Sequence, residues 1–413
     1  MLVLVNPNNR ILSPYSAVEP PLWAGLLATH YRNQKKEVAI VDAEALDLTP
    51  EQTAKAVLDY KPHSAMIVVM GNNPSVASTP KMGVTKQLVN LLKKEISLSV
   101  TGLHPSALPR ETEKELGIYV IPGKIFDGTP DIAWDLLPMD KYQAHFWHCL
   151  SGETRSPYAS IATSMGCVFK CEFCNLSALY GKREIIFKSP YEVGQEIDRL
   201  VGKYEVYNIK FWDELFTFNR GHVTAVCDEL IKRNYGLNIW AYARVDCVTP
   251  PILKKMKQSG INWLAYGFEA GDDKVLGNAH KHATKEQAVK AVAMTHEAGI
   301  NVMGNFIFGL PGSSPELDKA TLDFAKELNI EFCNFYDFKS YPGAATYKVV
   351  PSNWESFDQY GKTQTFRDEA FTSYFTDITY LNHIKAKFGA QAVINILDMV
   401  SRGKPVTRAY AEA

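Results

Sequence analysis

The stretch "SMGCVFKCEFCN", residues 164–175, places Cys167, Cys171 and Cys174 within eight positions of a chain that has seven cysteines in all. The spacing is C-x3-C-x2-C, and Gly166 opens the loop just after a run, 158–163, that reads as a strand. Three thiolates on one short loop can hold three corners of a cubane iron–sulfur cluster. A structural zinc site takes four ligands, and no nearby cysteine or histidine completes the set. The alternatives are three unrelated buried cysteines, or a zinc site closed from elsewhere in the chain. Free core cysteines have no reason to keep metal-ligand spacing. The residues therefore favour a cluster with one iron left open to a small molecule.

Working outward, residues 158–345 alternate strands and helices regularly. Strands are expected at 158–163, 206–212, 237–243, 262–268, 301–308 and 331–338. The helices between them carry start and stop signals. "SPYEVGQEIDRLVGKY" offers Ser189 and Glu192 as a capping box, with Pro190 at the first helical position. "TPPILKKMKQSG" starts at Thr249 and ends on Gly260, and "TKEQAVKAVAMTHEAG" repeats the box with Thr284 and Gln287. Six such units predict a partial (β/α)6 barrel, with its chemistry at the carboxyl ends of the strands.

Residues 1–121 alternate as well. Strands at 1–6, 37–43, 64–71 and 96–102, with helices at 20–33, 49–60 and 80–95, predict a Rossmann-like, doubly wound parallel sheet. Ligands in such sheets bind beyond the carboxyl ends of the strands, here residues 6–7, 42, 70–72 and 101–104. Residues 122–157 carry prolines, glycines and aromatics with no sustained period, and read as a packed linker because the aromatics favour burial. Residues 346–413 form a helical C-terminal region, with helices expected at 367–375 and 379–401 and a solvated tail.

The chain has 413 residues, 46% of them hydrophobic, and a formal net charge of −1. That length exceeds what one core usually organises. The charge balance argues against a general nucleic-acid binder, which carries a basic excess. No stretch is long and apolar enough to span a bilayer, and "MLVLVNPNNR" lacks the features of a signal peptide. A soluble, cytoplasmic protein without a disulfide framework is expected.

With these elements in place, the sequence resembles the radical S-adenosylmethionine (SAM) enzymes. Their signature is this cysteine triad with an aromatic before the last cysteine, here Phe173. The resemblance extends to the subgroup with an N-terminal cobalamin-binding domain. "PPLWAGLLA" (20–28) is similar to its PPLGLAYLA stretch, with Trp23 where glycine is usual. "TGLHPSALPRE" (101–111) is similar to its GGxHPTxxPEE loop, with Thr101 for the first glycine. "FWDELFTFN", "YARVDCVTPPILKKMKQSG", "YGFEAG" and "NFIFGLPG" look like its later elements, and together these cover most of residues 1–345.

The resemblance implies a 4Fe-4S cluster on the three cysteines, SAM on its open iron, and cobalamin between the two domains. It implies methyl transfer to an unactivated carbon. One SAM would methylate the corrinoid, and a second would yield the 5′-deoxyadenosyl radical that activates the substrate. Oxidative cyclisation or rearrangement is the nearer alternative, and a non-catalytic iron–sulfur or corrinoid carrier the more distant one. A flavodoxin or ferredoxin is the expected electron donor, and the substrate is a small molecule or biosynthetic intermediate.

Several residues are placed to hold these groups. Asp213 and Glu214, after the second barrel strand, can accept the amino group of SAM. Arg244 ends the next strand, where a guanidinium can pair a carboxylate through two bonds. Glu269 can accept both ribose hydroxyls. The strand "GNFIFGLPG", with Ile307 in it, can approach the adenine, its glycines allowing close backbone contact. In the first domain, Asn72, Ser75, Thr101 and Gly102 can reach the nucleotide tail of cobalamin. No D-x-H-x-x-G motif supplies a histidine to cobalt, and His104 reads as packing. His280 and His282 read as solvated, and Phe146, Trp147 and His148 as linker packing.

Overall fold

The computed structural model describes residues 1–9, 13–71, 78–347 and 365–402. Strands β1 (Leu2–Asn6), β2 (Val38–Asp42), β3 (Ser64–Val69), β4 (Ser97–Gly102) and β5 (Tyr119–Ile121) form the first sheet. All pairs are parallel and the order is β2-β1-β3-β4-β5. The residues dictate this. Both faces of β1 and β3 are apolar and buried, as a sheet covered by helices on each side requires. The order turns back between β1 and β3, so a crevice opens there beyond the strand ends. Strand β5, which the expected four strands did not include, adds three residues at the edge.

The second sheet opens with β6 (Tyr158–Ile161). A short antiparallel pair, β7 (Ser164–Met165) and β8 (Ile186–Phe187), follows and brackets the cysteine loop. The sheet continues with β9 (Asn208–Phe211), β10 (Asn238–Ala243), β11 (Ile261–Glu269), β12 (Asn301–Phe308) and β13 (Phe332–Asp337). Its order, β13-β12-β11-β10-β9-β6, is parallel throughout, which is the open six-stranded barrel the alternation predicts. The capping box expected at Thr284 forms, and a like one forms at Thr49. Thr49 and Thr284 each receive the backbone N–H of the residue three on, Gln52 and Gln287, whose side chains return the bond. Thr249 sits at an N-cap, but its hydroxyl makes no cap bond.

The linker is packed as its aromatics require. Trp134, Tyr142 and Trp147 are all buried. Trp147 meets Trp240, Trp263 and Phe332 at ring-centroid distances of 5.3, 5.1 and 6.0 Å, and so plugs the barrel near the amino ends of its strands. The helix expected at 379–401 is two helices, Ile378–Phe388 and Ala390–Ser401. Gly389, at φ 86°, ends the first and its N–H bonds back to the Lys385 carbonyl. Among the described residues no helix is long and apolar enough to cross a membrane.

Candidate active site

The cysteine loop is shaped by one glycine. Gly166 has φ 98°, and a Cβ there would lie 2.2 Å from the Glu184 carbonyl oxygen, so no other residue fits. Its N–H donates to Glu214 Oε2 at 2.7 Å. Beyond it the chain folds so that Cys167, Cys171 and Cys174 all line one cavity of about 230 Å³. None of the three is in a disulfide. Burial pushes the Cys174 thiol up to about 12 and raises that of Cys167. Thiolates in such a place need a metal to hold them charged. Among the described residues no set of three His, Cys, Asp or Glu side chains is arranged around a single ion. A cubane gives each thiolate its own iron, and three cysteines opening on one cavity suit it.

The acids after β9 diverge. Asp213 does not line the cavity. Its carboxylate accepts the Thr163 N–H and hydroxyl, both at 2.7 Å, and the Ser164 hydroxyl at 2.6 Å. These three donors tie the ends of β6 and β9 together through Asp213, a structural part where a contact to the amino group of SAM was expected. Glu214 does line the cavity, and also takes the Tyr180 hydroxyl at 2.5 Å. Burial pushes its carboxyl up to about 7, against the hydrogen bonds from Tyr180 and Gly166.

Arg244 reaches the cavity, but its fork is already closed on Asp246 by two bonds of 2.9 Å, and it donates to the Lys281 carbonyl at 2.8 Å. Its guanidinium covers the Phe169 ring at 3.7 Å and stands 4.0 Å from Cys171 Sγ. It props the cluster loop; the carboxylate pairing read from the sequence is taken by Asp246. Glu269 ends β11 at a bulge, where the pairing slips between Gly267 and Glu269. The bulge re-aims its side chain into the cavity, where Oε1 accepts from Lys281 Nζ at 2.7 Å. Phe173 and Ile307 also line the cavity, as do Asn305, Tyr336, Asp337 and Lys339.

Sequence reasoning missed Lys281, Asp246 and Tyr180. Lys281 stands between His280 and His282, which are exposed as expected while Lys281 is buried. No local pattern marks it, because its partner Glu269 lies twelve residues back across a helix and a turn.

The first-domain assignments fare differently. Thr101 is fully buried and its hydroxyl donates to the Ile121 carbonyl, so it serves the sheet. Gly102, at φ 120°, lets β4 pass the Val69 carbonyl, which a Cβ would approach to 2.1 Å. Neither is among the described residues that line the cysteine cavity or the crevice between the domains. His104 packs with Thr79, Nδ1 to hydroxyl 2.9 Å, and burial pushes its imidazole down to about 3. Asn72 and Ser75 lie outside the described residues.

A crevice does run between the domains. Asn6, Leu22, Trp23, Val68, Met70 and, from the barrel, Trp212 are among its walls. The buried Trp23 Nε1 has no hydrogen-bond partner among the described residues. Apolar faces with one orphaned N–H suit a flat macrocycle rimmed by amide carbonyls. The space left is about 10 Å³, with the Trp23 indole the bulkiest first-domain side chain among its walls.

These elements define a class: a barrel that presents a cysteine triad to an internal cavity, seated against a doubly wound domain. Residues 161–325 match the radical SAM superfamily model, so the barrel is a radical SAM domain. The chain is 28% identical over 393 residues to an uncharacterised methyltransferase of Pyrococcus horikoshii, covering 86% of this chain and 83% of that one. It is 23% identical to the anaerobic magnesium-protoporphyrin IX monomethyl ester cyclase of Rubrivivax gelatinosus, over 82% of this chain and 68% of the cyclase. Its fold is that of the radical SAM methyltransferase TsrM from Kitasatospora setae, whose structure holds cobalamin and a 4Fe-4S cluster. The TM-score is 0.65 at 16% identity, over 83% of this chain and 76% of TsrM.

Proposed function

We propose that this chain is a cobalamin-dependent radical SAM enzyme that transfers a methyl group to an unactivated carbon of a small polar molecule. The observation that carries the reading is the triad Cys167, Cys171 and Cys174, opening, without a fourth cysteine or histidine among the described residues that line it, on a cavity that Glu214, Arg244, Glu269 and Lys281 also line. When bound, the cluster, SAM and the corrinoid supply a low-potential electron, a radical source with a methyl donor, and a methyl carrier.

The chain's own residues do the holding. The three cysteines hold the cluster, and Arg244 with Phe169 backs their loop. Glu214 receives the amino group of SAM and Glu269 its ribose, while Phe173 and Ile307 pack the adenine. Asn305, Tyr336, Asp337 and Lys339 meet the substrate at the opposite wall. The crevice beside Trp23 and Trp212 takes the corrin once the Trp23 indole vacates it. An oxygen-sensitive centre of this kind belongs in a reduced cytoplasm, with a flavodoxin or ferredoxin as electron donor.

The test is anaerobic reconstitution with iron, sulfide, hydroxocobalamin, SAM and reductant. About four irons per chain, 5′-deoxyadenosine and S-adenosylhomocysteine are expected. Zinc at the triad, or no 5′-deoxyadenosine, overturns the radical reading; failure to retain a corrinoid overturns the crevice separately. Similarity to a cyclase over most of the chain favours one second reading, oxidative cyclisation, which yields 5′-deoxyadenosine without S-adenosylhomocysteine.

A further inference from the structure

Three residues other than glycine adopt left-handed backbone around one ion pair. Glu269 has φ 65°, and His280 and His282, on either side of Lys281, have φ 50° and 52°. Such backbone is costly for residues with a Cβ, and persists where the surroundings over-determine it. Here it turns both members of the pair inward. The Glu269 and Lys281 side chains are each 8% exposed, 2.7 Å apart, and both line the cavity that holds the cysteines. Gly267 keeps the room: a Cβ there would lie 2.3 Å from Glu269 Oε1 and 2.8 Å from Lys281 Nζ. Lys281 is fixed at both ends of its peptide unit. Its carbonyl accepts from Arg244 at 2.8 Å and its N–H donates to the Leu276 carbonyl at 3.0 Å.

The pairing divides the carboxylate. Oε1 is committed to Lys281, and Oε2 has no protein partner among the described residues. We propose that Lys281 is a positioning residue that fits this cavity to a ribose carrying both hydroxyls, by holding Glu269 so that Oε2 receives them. The proposal rests on the reading that SAM occupies the cavity. A carboxylate locked by a buried cation cannot turn away from the ligand, and a hydroxyl missing from the ligand leaves one lone pair of a desolvated oxygen unfilled.

The probes are SAM and its 2′-deoxy analogue, measured by equilibrium dialysis against the anaerobically reconstituted protein. The wild type should prefer SAM by roughly tenfold or more, the discrimination typical of a hydrogen bond to a charged group. Lys281→Met should weaken SAM about tenfold, leave the analogue nearly unchanged, and so erase the preference. Lys281→Arg should keep most of it. The double variant Glu269→Gln/Lys281→Met, which buries no lone charge, should discriminate no worse than either single change, since the two act as a unit. A preference that survives Lys281→Met overturns the proposal. So does an equal loss for both ligands, which would put Lys281 on another part of SAM, or a wild type that binds both alike. A wild type that binds neither overturns the reading of the cavity itself, and the proposal with it.

Discussion

Lys210 Nζ lies 2.8 Å from Glu19 Oε2, and both side chains are buried inside the barrel. Lys210 stands on β9, its ammonium against the faces of Trp240 and Tyr242 at 4.8 and 5.7 Å. Glu19 comes from the segment that leads into the first-domain helix Leu22–Asn33. The crevice walls start one residue after Glu19 and two residues after Lys210. One ion pair therefore sets both walls against each other. Lys210→Met would leave Glu19 with Ser160 at 3.3 Å and His145 at 3.5 Å as its partners. It should lower stability by about 3–5 kcal/mol in urea unfolding. Glu19→Gln/Lys210→Met should recover part of that loss; a single variant as stable as wild type would show that the pair pins nothing.

Gly166→Ala is a second expectation. Its methyl would press on the Glu184 carbonyl oxygen at a φ that L residues avoid. The loop must shift, and the N–H that meets Glu214 shifts with it. Because the position is local to the loop, the loss should fall on the cluster. Iron retained per chain should drop at least twofold while the unfolding midpoint of the barrel changes little. Full iron content in this variant would mean that the loop tolerates another path.

The strands were readable because each is a short apolar, β-branched run between turn residues; 301–308 reads directly as Asn301–Phe308. Strand β5 was not, since three residues carry no period. The cysteine triad was readable from spacing alone. The acids and bases around it were less so. Asp213 and Glu214 are adjacent and equally polar, and only a partner fifty residues back, Thr163, decides which turns away. Arg244 is claimed by Asp246, two residues on, and local sequence does not distinguish that from a ligand contact. Lys281 was hidden because its role is created by Glu269 across the fold.

Glu331 makes a pH-dependent clasp. It is fully buried beneath the C-terminal helices, and accepts from the Val302 N–H at 2.7 Å, His296 at 3.1 Å, His383 at 3.2 Å and Lys387 at 2.5 Å. Burial alone would raise its carboxyl, but the two imidazoles and Lys387 outweigh that and hold it far below its ordinary value of 4.5. The folded carboxyl is thus more acidic than the unfolded one. Its contribution is present above about pH 4.5 and is lost as the pH falls further. Glu331→Gln should be less stable than wild type by roughly 3 kcal/mol at pH 7, and the gap should narrow between about pH 4.5 and pH 3. Parallel stability curves for the two proteins across that range would count against the clasp.

Trp23 tests the proposal that the crevice admits a corrin. Its indole is 1% exposed, packed on Phe126 at 4.9 Å and near Tyr180 and Trp212 at 6.3 and 6.4 Å. Glycine is usual at this place in the stretch that residues 20–28 resemble. The indole contributes to folding and, on that proposal, stands where the corrin would go. Trp23→Ala should therefore move two quantities in opposite directions. Stability of the corrinoid-free protein should fall by about 3–5 kcal/mol. Retention of hydroxocobalamin after desalting should rise, because no ring has to be displaced, and the bound corrinoid should return part of the lost stability by mass action. If the variant is destabilised yet holds less corrinoid than wild type, Trp23 is a wall the macrocycle leans on, and the crevice must open by another movement.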